Sequence, residues 1–150
     1  MDVEKVKGYI ENSTTIEGDG LPFRFFESLI MHGLSVDLIE TGRVVCSFKV
    51  SPRLLNGENS LHGGVTVTLV DLVSSAAIYT VGAPFPGSSV EINVSFLDAA
   101  YADEEIEIEA RALRVGKAVA VLSAELRKKN TGKIIAQGRH TKYLPLPSKM

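Results

Sequence analysis

Apolar and polar positions along the chain change their period several times, and each change marks an element. Val3, Val6, Tyr9 and Ile10 recur at helical spacing behind Asp2, a residue suited to an N-cap, so a helix is expected over about residues 2–13. After a loop over 14–22, Phe23, Phe25, Phe26, Leu29 and Ile30 form a dense apolar patch that covers a core or lines a pocket. From Gly33 the period becomes two. Leu34, Val36 and Leu38 alternate with polar residues, Glu40-Thr41-Gly42-Arg43 turns the chain, and apolar character returns over Val44–Val50, which predicts a hairpin. Beyond Pro84 and Pro86, four alternating segments predict strands over 88–96, 105–114, 118–128 and 133–143. Val115-Gly116-Lys117 and Asn130-Thr131-Gly132 supply the last two turns. Ile106 and Ile108 alternate with Glu105, Glu107 and Glu109, so one face of that strand is expected to be wet.

Between the hairpin and these strands lies a stretch with no break from Asn56 to Gly82. Its β-branched start, Val65-Thr66-Val67-Thr68, suits a strand as well as a helix. Its length and the small residues Ser74, Ser75, Ala76 and Ala77 favour one long helix over about 61–81, apolar nearly all round and therefore wrapped by other structure. Gly64, Thr68, Asp71, Ser74 and Ser75 share a face, so the polar atoms form a stripe. Helix, hairpin, long helix and four strands make an α+β domain in which a six-stranded antiparallel sheet buries the central helix.

Chemistry concentrates in that stretch. A mid-helix acid on an apolar element is costly unless paired, hydrated or used. Asp71 is either hydrogen-bonded to the Thr and Ser hydroxyls beside it or is a base. The start at His62-Gly63-Gly64 is either an ordinary turn or a set of free N–H groups suited to an oxyanion. Seven residues at a rise of about 1.5 Å separate Gly64 from Asp71 by about 10 Å. If both act on one reacting group, Asp71 must come from a second chain.

Composition narrows the classes. The chain has 150 residues, 45% of them apolar, a net charge of −2 and a single cysteine. One domain spanning 1–150 is expected, with a tail over 144–150. The charge argues against nucleic acid as a partner, no apolar run suggests a membrane span, and Cys46 reads as a core residue. Acids at the N-terminus argue against a secretory signal.

The spaced Asn56, His62-Gly63-Gly64, Asp71, the strand Gly87–Phe96 and the ending Thr131-Gly132-Lys133…Gly138-Arg139-His140-Thr141-Lys142 together resemble the hotdog-fold acyl-CoA thioesterases. The branch is that of thioesterase superfamily member 2 and the phenylacetate-degradation thioesterases, and the resemblance covers about Leu34 to Tyr143.

That resemblance implies hydrolysis of acyl-CoA to free acid and coenzyme A, with no metal or redox cofactor, in a homo-oligomer arranged as a dimer of dimers. Asn56 and the Gly63 N–H would polarise the thioester carbonyl, and His62 would orient the loop or touch the thioester. Asp71 of the partner subunit would act as general base, or as nucleophile, and Ser89 would position the water. Gly64, Phe96 and Tyr143 would line the substrate groove. Arg114, Val115, Gly116 and Lys117, otherwise a solvated basic turn, would meet the coenzyme A nucleotide. Two rival readings are a non-catalytic acyl-CoA binding module and a hotdog hydratase or dehydratase. The terminal Ser148-Lys149-Met150 is one change from a peroxisomal import signal, which predicts the peroxisomal import receptor as a partner and a peroxisomal rather than cytoplasmic location.

Overall fold

The computed structural model of the protein describes residues 1–11 and 24–145. The loop expected over 14–22, Phe23, the end of the first helix at 12–13 and the terminal Ser148-Lys149-Met150 lie outside the described residues.

Helix α1 (Val3–Glu11) starts where Asp2 Oδ1 accepts the Lys5 N–H at 3.1 Å, and it turns Val6 and Ile10 inward. Helix α2 (Phe25–Met31) was not foreseen. It carries Ile30 and Met31 into the core, whereas Phe25 and Phe26, expected to cover a core or line a pocket, are exposed. Strands β1 (Ser35–Glu40) and β2 (Arg43–Lys49) form the predicted hairpin. A short 3-10 turn over Pro52–Leu54 then leads to helix α3 (Gly63–Thr80). Strands β3 (Ser88–Phe96), β4 (Glu105–Val115), β5 (Val119–Lys128) and β6 (Ile134–Tyr143) complete the order.

The six strands make one sheet in the order β1-β2-β4-β5-β6-β3, with every neighbouring pair antiparallel. Twelve residues of α3 are buried against this sheet and the other helices. By length and composition α3 is apolar enough to cross a membrane, contrary to the expectation from sequence, but its burial makes it the core helix of a wrapped domain. Helix and sheet pack tightly at Gly138, where a Cβ would sit 2.9 Å from Asn93 O and 3.3 Å from Val70 Cγ1. Burial there outweighs the low helix propensity of Val65 to Thr68. Gly82, in the left-handed region at φ 88°, ends the helix.

The outer face of the sheet is polar but not uniformly wet. Glu109 takes hydrogen bonds from Arg43 and Arg111, which hold its carboxyl below the usual range although burial pushes the other way. Among the described residues, strand β3 pairs with β6 alone. It is an open edge on which Val90 is 65% and Phe96 58% exposed.

Candidate active site

The predicted residues fall into two groups at opposite ends of β3. At one end lies the start of α3. His62 is its N-cap, and its Nδ1 accepts the Gly64 N–H at 2.9 Å. This bond defines the ring: with Nδ1 accepting, the proton of the neutral imidazole is on Nε2. It also defines the glycine, because a Cβ on Gly64 would stand 3.0 Å from that same Nδ1. Gly63 N–H is the first of the helix and has no partner among the described residues. A Cβ on Gly63 would meet the Phe96 ring at 3.3 Å, which places Phe96 beside the helix start.

Asn56 is held by its own loop. Its Oδ1 accepts the N–H groups of Glu58 at 2.9 Å and Ser60 at 3.2 Å, and its Nδ2 lies 3.1 Å from Ser60 Oγ. With the oxygen occupied by backbone donors the amide orientation is determined, and one Nδ2 hydrogen remains for a ligand. This end of the fold thus offers two N–H donors and the positive end of a helix dipole.

At the other end lie Asp71 and Ser89, connected by a residue to which the sequence assigned no role. His140, on β6, is 0% exposed. Its Nε2 is 2.8 Å from Ser89 Oγ and 3.7 Å from Asp71 Oδ1, and its Nδ1 is 2.7 Å from Ser74 Oγ. Ser74 spends its hydrogen on Val70 O at 2.5 Å, so Ser74 Oγ accepts from His140 Nδ1. Nε2 is then the acceptor and Ser89 donates to it. Burial, with the Lys142 charge adding to it and Asp71 opposing, lowers the ring to about 4, so the imidazole is neutral at pH 7 and makes no ion pair with Asp71. Asp71 itself is part-exposed, its side chain 40% accessible, and Ser75 Oγ lies 3.4 Å from its Oδ1. The hydrogen bonding expected of a mid-helix acid and an open face for chemistry are both present.

Register separates other residues expected to work together. Tyr143 pairs with Ser88 and Val119, whereas Phe96 pairs with Ala136, so within one chain these two rings are at opposite ends of the sheet and line no common groove. The turn Arg114-Val115-Gly116-Lys117 is exposed and belongs to the Tyr143 end, where Gly116 N–H bonds to Val119 O at 2.8 Å. A depression of about 390 Å³ on the outer face, lined by Glu109, Arg111, Glu125 and Arg139 among others, contains none of the predicted residues. Among the described residues no group of three or more His, Cys, Asp or Glu side chains is placed to hold a metal ion.

The signal for His140 was period two along β6: Ala136, Gly138, His140 and Lys142 all turn inward, two small residues followed by two polar ones. They meet the face of α3 that carries Asp71, Ser74 and Ser75.

A family model described as the thioesterase superfamily matches residues 58–135. Human acyl-coenzyme A thioesterase 13 is 45% identical over 103 residues, 69% of this chain and 74% of that protein. The crystal structure of zebrafish thioesterase superfamily member 2 superposes with a TM-score of 0.85 at 35% identity, covering 97% of this chain and 99% of the other. That of the mouse protein gives 0.80 at 32% identity over 95% and 96%.

Proposed function

The chain belongs to the thioesterase superfamily, and from that premise we propose that it hydrolyses acyl-CoA thioesters to the free acid and coenzyme A at a site shared by two subunits. One observation carries the shared site. The donors Asn56 and Gly63 stand at the Phe96 end of β3, the acid Asp71 stands at the Ser89 end, and β3 is an open edge with exposed apolar side chains. An edge of this kind invites another strand. Antiparallel pairing of β3 with its copy brings the Phe96 end of one strand to the Ser89 end of the other, and so one subunit's donors to the partner's acid.

In that arrangement the thioester carbonyl accepts from Asn56 Nδ2 and Gly63 N, where the dipole of α3 favours the developing negative charge. A water held by Ser89 attacks the carbonyl carbon and gives its proton to Asp71 of the partner subunit. Because Ser89 donates its own hydrogen to His140, its lone pairs face the water as acceptors. Collapse of the tetrahedral intermediate breaks the C–S bond, and coenzyme A leaves as the thiolate. The exposed turn Arg114–Lys117, together with Tyr143, receives the nucleotide, its cations suiting phosphate. The acyl-CoA class rests on the human relative's name.

Thiol release over a panel of fatty and aromatic acyl-CoAs tests the reading. Asp71→Asn is expected to lower kcat by about 10²–10⁴-fold, with calorimetric binding of a non-hydrolysable acyl-CoA analogue retained. Hydrolysis at the wild-type rate by that variant removes Asp71 as the base. Tight binding without turnover by the wild-type protein makes the chain a binding module.

A further inference from the structure

Next to the Ser89–His140 chain is a second set of polar contacts that this mechanism leaves unused. Lys142 follows His140 on the inward face of β6 and is 3% exposed. Its Nζ donates to Ser75 Oγ at 2.6 Å. From α1, the phenol of Tyr9 is packed beside the same hydroxyl, and burial raises that phenol above its usual range. Ser75 Oγ in turn lies 3.4 Å from Asp71 Oδ1. A hydroxyl has one hydrogen and two acceptor sites. With Lys142 donating to the oxygen, Ser75 gives its hydrogen to Asp71 Oδ1.

Geometry therefore gives a polarised chain from a buried ammonium, through one hydroxyl, to the carboxylate. A buried cation is costly unless an opposite charge compensates it. Asp71 is the anion whose charge acts on Lys142, one hydroxyl away. Oδ1 is thereby held on a side chain that is 40% accessible.

We propose that Lys142 and Ser75 form a positioning relay that holds the Asp71 carboxylate in the orientation needed to take a proton from water. Lys142 lies outside the residues matched by the family model. The relay rests on the reading of Asp71 as the base. The titratable groups facing it are Asp71 and Tyr79 on α3, Tyr9 on α1, Glu27 on α2 and His140 on β6. Burial draws Lys142 below the ordinary lysine range while Asp71 pulls the other way, so the relay loses its charge on the alkaline side.

Steady-state kinetics of Lys142→Met, Ser75→Ala and Ser75→Thr, run beside Asp71→Asn, test it. Lys142→Met and Ser75→Ala are expected to lose about ten- to a hundredfold in kcat, with KM little changed, and Ser75→Thr, which restores the hydroxyl, to recover most of the loss. Wild-type kcat should decline at alkaline pH, and the decline should be absent from Lys142→Met. Thermal denaturation checks folding, and Ser75→Ala, which removes a single oxygen, serves if Lys142→Met does not fold. Wild-type kcat and pH profile in Ser75→Ala, with Asp71→Asn inactive, overturn the relay and leave the base in place. An active Asp71→Asn overturns both.

Discussion

His140 illustrates what enclosure does to a single side chain. A ring lowered from 6.5 to about 4 in the native state binds its proton later, as pH falls, than it does in the unfolded chain. Its contribution to stability is complete above pH 6.5 and is lost progressively as pH falls toward 4. At about 1.4 kcal/mol per unit the full loss is roughly 3 kcal/mol. Denaturation midpoints at pH 7 and pH 5 should therefore fall more steeply for wild type than for His140→Gln, and parallel slopes would show that another group dominates. The residues legible in the sequence were those that break a rule where they stand: an acid on an apolar helix at Asp71, and a His before two glycines at His62. His140 and Lys142 break one too, but only after the inward face of β6 is known. Gln137, Arg139 and Thr141 make the opposite face polar as well, so alternation alone does not say which side is buried.

Among the elements, strands were the most legible. Period two and strong turn residues located β3 at its observed bounds and the others to within a residue or so. Helix α2 escaped because seven residues are too few for a helical period to declare itself, and it begins without a side-chain cap after Arg24 in the left-handed region. The wet face expected of β4 holds at Glu105, but Glu109 is enclosed by arginines from three strands. Packing of α3 on the sheet depends on the missing side chain at Gly138. Gly138→Ala is expected to destabilise by about 1–3 kcal/mol in chemical denaturation, since the new methyl meets a backbone oxygen that a rotamer change does not move. Gly57→Ala, where a Cβ meets nothing within 4 Å, is the control, expected to stay within about 0.5 kcal/mol.

The whole molecule raises the question of which chain owns which half of the site. Sequence alone reached the need for a second chain through the rise of a helix, and the fold adds the open edge that would supply it. Co-expression answers it without a structure of the complex. A chain carrying Asp71→Asn and a chain carrying Asn56→Ala are each expected to be inactive alone. In a mixed dimer one of the two shared sites is intact, so thiol release should reappear in proportion to the mixed species. Absence of recovery, with mixed dimers shown by differential tagging, would place the whole site within one chain.

Strand β3 follows α3 in sequence, yet among the described residues its only neighbour in the sheet is β6. During synthesis the edge therefore has nothing to dock against until the last strand has left the ribosome, and the same strand delivers His140 and Lys142. Until then β3 is unpaired on both sides and open to another chain's strand, so docking of β6 competes with the joining of unfinished copies. The strand that closes β3 on one side is thus the one that completes the polar cluster around Asp71.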